Sequence, residues 1–67
     1  MQTLGQKIKE LREEFNLTQI QLAEILFIDK STIAKYETDV IEPRYDTLKK
    51  IAKLFNVTTD YLLGMED

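Results

Sequence analysis

Cysteine and histidine are both missing from this 67-residue chain, and each absence narrows its chemistry. Without cysteine, no disulfide reinforces the fold and no thiolate can hold zinc. Without histidine, the commonest general base and metal ligand is gone. There is no glycine-rich phosphate loop, and the carboxylates are scattered over helix surfaces with no metal-ligand spacing. No nucleophile–base pair can be assembled from what remains, so neither enzyme activity, nor a cofactor, nor a metal is expected. The longest unbroken apolar run is four residues, Ile25 to Ile28, far short of a bilayer. The N-terminus has no basic segment leading into an apolar run, so it does not read as a secretion signal and a cytoplasmic protein with no membrane partner is expected.

Residues 1–67 make one small domain, whose thin core must rely on efficient helix packing or on dimerisation. Nine basic and twelve acidic residues give a net charge of −3, which does not advertise a nucleic-acid binder. Net charge averages over faces, however, and contact depends on local arrangement. Residues 1–27 carry three positive and four negative charges, residues 28–50 five of each, and residues 51–67 one positive and three negative. The middle is neutral and the end acidic.

Apolar residues recur at spacings of three and four, with no sustained alternation. This predicts an all-α protein of five short helices, near residues 3–15, 18–26, 29–38, 44–55 and 58–63. Thr3 with Gln6 and Thr18 with Gln21 have capping-box spacing, and Leu17 with Leu22 and Val57 with Leu62 have the spacing of hydrophobic staples. Asp29 and Thr58 are the expected caps of the third and fifth helices. Asn16, Asn56 and Gly64 are the expected terminators. The inward faces are Leu4, Ile8, Leu11 and Phe15; Leu22, Ala23 and Leu26; Ile33 and Tyr36; and Leu48, Ile51, Ala52 and Phe55. Two helices joined by a turn of about three residues, the second short and polar outside, describe a helix-turn-helix unit.

The stretch "LTQIQLAEILFIDKSTIAKYE" resembles the helix-turn-helix of the phage-repressor and Cro-like (XRE-type) family of transcription regulators. The flanks "IKELREEFNLTQ" and "EPRYDTLKKIAKLFNVTTDYLLG" resemble that family's first, fourth and fifth helices, and the likeness covers roughly residues 4 to 64. It implies a compact five-helix domain of the lambda-repressor-like type whose third helix lies in the major groove of double-stranded DNA. It implies that Lys30, Ser31, Thr32 and Lys35 read bases, that Gln19 and Arg44 contact phosphates, and that Arg12 and Glu37 form an ion pair fixing the recognition helix. Taken without the resemblance, Lys30 and Lys35 read as solvated surface charges, Thr32 as a helix-start residue and Arg44 as an ordinary surface arginine.

Three features depart from the family pattern. Phe27 stands in the turn where glycine is usual, at a cost of roughly 1–2 kcal/mol if that position needs positive φ. The loop "TDVIEP" lacks Asn-Gly and basic residues, and its Asp39 and Glu42 are expected to repel phosphates. Ile20 and Ile25 replace usual polar residues, so with Phe27 they are either partly buried or a site for a protein partner. Two functions follow from one fold. The first is a sequence-specific DNA-binding regulator, a repressor acting as a homodimer through Tyr61, Leu63 and Met65. The second is a protein-binding module or antitoxin docking through Ile20, Ile25 and Phe27. The chain reads either as complete or as the DNA-binding part of a longer regulator.

Overall fold

A computed structural model describes residues 2–66 as five helices: α1 (Leu4–Glu14), α2 (Gln19–Leu26), α3 (Lys30–Glu37), α4 (Tyr45–Phe55) and α5 (Thr59–Leu62). Each lies within its predicted span. Threonine starts three of them. Thr3 and Thr18 form complete capping boxes with Gln6 and Gln21, and the Thr58 hydroxyl accepts from the Tyr61 amide. Each such bond satisfies an amide that the helix itself cannot pair.

All five helices end in one way. Asn16, Phe27, Asp39, Asn56 and Gly64 have φ of 57°, 58°, 61°, 57° and 75°. The amide of the next residue then reaches back five positions, as in Leu17 to the Arg12 carbonyl and Ile28 to the Ala23 carbonyl, both 3.0 Å. This pairing of a left-handed residue with a long backward bond satisfies the last carbonyls of a helix. Asparagine, aspartate and glycine tolerate that conformation, whereas phenylalanine is strained in it by about 1–2 kcal/mol. Phe27 is also 92% exposed and recovers little by burial. Phe27→Asn is therefore expected to raise stability by about 1 kcal/mol, a melting-point gain of roughly 4–8 °C by circular dichroism.

The core takes every helix. Ile8 and Leu11 of α1, Leu22, Ala23 and Leu26 of α2, Ile33 and Tyr36 of α3, Leu48, Ile51, Ala52 and Phe55 of α4 and Leu62 of α5 are buried. Leu17, Ile28 and Val57, the residues that follow three of the left-handed positions, pack against this cluster. Phe15 departs from the expected stripe. It is the C-cap of α1, beyond the helical register, and is 47% exposed, its ring meeting that of Phe55 edge to face with centroids 5.0 Å apart. Gly5 is buried because α1 crosses close to the end of α3, where its amide donates to Asp39 Oδ1 at 2.9 Å.

Candidate nucleic-acid interface

The turn Phe27–Asp29 joins α2 to α3 and sets α3 against both α1 and α2. At about 100° per residue, the buried Ile33, Tyr36 and Glu37 define one side of α3. Ser31 and Lys35, about 40° apart, straddle the centre of the opposite side. Both are exposed, Thr32 and Ala34 form the half-buried edges, and Lys30 is exposed in the first turn. The face offers one ammonium and one hydroxyl at its middle, with methyl groups beside them. Those are groups suited to base edges, since lysine donates to guanine O6 and N7, and a methyl packs on thymine.

The helix starts around this face are rich in unused donors. The capping box of α2 employs the Thr18 and Gln21 amides, leaving those of Gln19 and Ile20 without a partner among the described residues. Asp29 occupies the N-cap of α3 as expected, yet its side chain makes no capping bond. Arg44 caps α4 likewise without a side-chain bond and is exposed. Free amides and the positive end of the helix dipole favour an anion at such positions. One basic group at α4 escaped the sequence reading. The Lys49 ammonium lies 4.9 Å from the centre of the exposed Tyr45 ring, one helical turn on, and an i to i+4 pairing of lysine and tyrosine is its signal.

Arg12 and Glu37 meet as expected, and Gln19 joins them. Arg12 Nε donates to Glu37 Oε2 at 2.6 Å and Nη2 to Oε1 at 3.2 Å, while Nη1 donates to the Leu17 carbonyl at 2.8 Å. Gln19 Nε2 donates to Glu37 Oε1 at 3.0 Å. The side chains of the ion pair are 11% and 3% exposed. The hydrogen bond to Glu37 pushes the Arg12 guanidinium above its ordinary value, against the opposing effect of burial. One carboxylate thus ties together the last turn of α1, the α1–α2 connection, the first turn of α2 and the end of α3. Gln19 spends one N–H on Glu37 and keeps the second, because a primary amide carries two.

Other expectations meet a different geometry. Asp39 does not stand free to repel phosphate. Its Oδ1 accepts from the Gly5 amide and its Oδ2 from the Thr3 hydroxyl at 2.6 Å, so its charge sits on the positive end of α1. Glu42 is exposed. Of the apolar residues grouped at the C-terminus, Tyr61 is half-buried. Lys7 donates to its carbonyl at 2.7 Å and stands 4.9 Å from its ring centre. Leu63 and Met65 are exposed, at 51% and 73%. Ile20, Ile25 and Phe27 are 54%, 45% and 92% exposed, so their apolar surface faces outward.

A helix-turn-helix family model matches residues 8–62. The HTH-type transcriptional regulator ImmR of Bacillus subtilis (strain 168) is 43% identical over 65 residues, 97% of this chain and 51% of its own length. The immunity repressor protein of Bacillus phage phi105 is 38% identical over 64 residues, 96% of this chain and 44% of its own. The chain thus spans about half the length of these relatives. Among solved structures, the P22 c2 repressor protein in complex with a synthetic operator superposes with a TM-score of 0.90 over 98% of this chain and 100% of its own, at 24% identity. That last likeness is one of fold.

Proposed function

The chain belongs to the helix-turn-helix family, and from that premise we propose that it is a cytoplasmic, sequence-specific DNA-binding regulator of transcription, a repressor that binds double-stranded DNA. The outward face of α3 carries this reading: Ser31 and Lys35 at its centre, with Lys30 and Thr32 beside them, on a helix whose other side is locked into the core. In the major groove these side chains read base edges. The free amides of Gln19 and Ile20, the second N–H of Gln19 and the Arg44 guanidinium hold the phosphates on either side. The activity is binding, and no bond is made or broken.

Two half-sites about 34–36 Å apart call for two copies. The domain is 29 Å in its longest dimension and covers one. Leu63 and Met65, both exposed, support a homodimer through the C-terminal end, with Tyr61 behind them.

The test is selection from a random DNA pool at low salt, followed by sequencing of the bound fraction. A two-fold symmetric motif with half-sites one helical turn apart supports a dimeric operator reader. No enrichment from demonstrably folded protein sinks the reading. On the selected site, Lys35→Ala is expected to cost roughly 1–3 kcal/mol and to relax preference at one base pair. Gln19→Ala is expected to weaken all sequences alike. The slope of log K against log salt separates the phosphate contacts. Arg44→Ala lowers it by about 1, whereas Gln19→Ala, which removes a neutral group, leaves it unchanged.

A further inference from the structure

We propose that the groove between the C-terminal ends of α2 and α4 docks an acidic amphipathic helix of a partner protein. The groove has a volume of about 270 Å³ and is lined by Ile25, Leu26, Phe27, Lys50, Lys53 and Leu54. Phe27 is its most exposed wall and the odd member of a series. The other three non-glycine residues with positive φ are Asn16, Asp39 and Asn56. A large aromatic at 92% exposure in a left-handed conformation is disfavoured twice, by its backbone and by its contact with water. Neither penalty serves the fold. Strained residues persist at positions that contact ligands or partners, and here the strain displays an aromatic ring beside the half-exposed Ile25.

The rim defines the partner. Lys50 and Lys53 are exposed, no carboxylate lines the groove, and neither lysine has an ion-pair partner among the described residues. Two unpaired cations beside an apolar floor match a helix with large apolar side chains at i and i+4 and glutamate or aspartate next to them. A second copy docked by a two-fold axis fits less well, because each groove would face its own image and bring the lysines of both copies together. The groove lies at the ends of α2 and α4 opposite the phosphate-holding ones: Ile25 and Phe27 are about 9–12 Å along the α2 axis from Gln19, and Lys50 to Leu54 about 9–15 Å along the α4 axis from Arg44.

The test is selection of displayed helical peptides, randomised at i, i+3, i+4 and i+7, on the full chain, with counter-selection on Phe27→Asn. The expected winners pair leucine or an aromatic with surplus acidic residues. A synthesised winner is expected to move amide signals of residues 25–28 and 50–54 alone, with and without bound DNA. Its affinity is expected to fall about tenfold or more with Phe27→Asn, and again with Lys50→Glu/Lys53→Glu. Phe27→Asn is expected to melt above the parent chain and to bind DNA like it, so a loss of peptide binding cannot be unfolding. No Phe27-dependent winner, winners without acidic surplus, or loss of DNA binding in Phe27→Asn would each overturn the proposal. A dimer of the chain alone that disappears in Phe27→Asn would reassign the groove to a second copy.

Discussion

Arg12→Ala is expected to destabilise the domain by about 3–5 kcal/mol, the cost of leaving a buried charge without its partner. A chain of this length has roughly 3–10 kcal/mol in total at about 0.05–0.15 kcal/mol per residue, so the loss is a large fraction of its stability. The geometry sets the magnitude. Glu37, 3% exposed at its side chain, loses the bonds at 2.6 and 3.2 Å and keeps only Gln19. The Leu17 carbonyl loses its donor in the same step. Arg12→Lys keeps the charge but supplies one nitrogen where three are used, and is expected to fall in between. Arg12→Met with Glu37→Leu removes both charges and is expected to recover most of the loss, as apolar replacements of buried pairs do. That double variant separates two roles of the network. Its stability returns, but Gln19 has lost its anchor, so affinity for every DNA sequence is expected to remain lowered. Urea unfolding followed at 222 nm reads the first effect and DNA titration the second. If Arg12→Ala lies within about 1 kcal/mol of the parent, water reaches Glu37 and the pair is a surface one.

The core was legible because a helix repeats its inner face at fixed intervals. Leu22, Ala23 and Leu26, or Leu48, Ile51, Ala52 and Phe55, can be picked out by spacing alone, and all are buried. The same rule misplaced Phe15, because the register stops where the helix does and α1 ends at Glu14. The terminators were readable at Asn16 and Asn56, whose side chains tolerate the left-handed conformation. Asp39 carries a terminator signal of its own. Like Asn16, Phe27, Asn56 and Gly64, it is followed by an apolar residue, Val40, at the position where a helix terminator commonly packs one. In sequence its carboxylate looks like a surface charge, because its partners, Thr3 and Gly5, lie 36 and 34 residues away. The third bond on Glu37 was hidden for the same reason. Gln19 and Glu37 are 18 residues apart, and only the crossing of α2 and α3 brings them together. The outward face of α3 was readable as polar from periodicity, whereas the roles assigned to Lys30, Ser31, Thr32 and Lys35 rest on resemblance.

Gly5→Ala sets two local rules against each other. Alanine is preferred to glycine in a helix, by about 1 kcal/mol in the interior and by less in the first turn, where Gly5 stands, so α1 considered alone would gain. In the folded chain the added methyl would collide with the Tyr36 carbonyl oxygen, and would lie 2.7 Å from Asp39 Oδ1 and 2.8 Å from the Glu37 carbonyl oxygen. Two of these three neighbours are backbone atoms at the end of α3, and the third is held by the Gly5 amide itself. None can rotate away, so α1 and α3 must separate. Overpacking usually costs 1–3 kcal/mol and runs higher where nothing yields, so a net loss of about 3 kcal/mol is expected despite the gain in propensity. Thermal melting with urea titration measures it, and a Gly5→Ala chain as stable as the parent would show that α1 does not press on α3. The consequence reaches beyond stability. α1 grips the end of α3 at two levels, through Gly5 near its own start and through Arg12 in its last turn. Separating the helices at the first level strains the bonds at the second, and with them the Gln19 amide. In the DNA-binding reading, a methyl group far from every base then lowers affinity for all sequences while leaving Lys35 and its base preference in place.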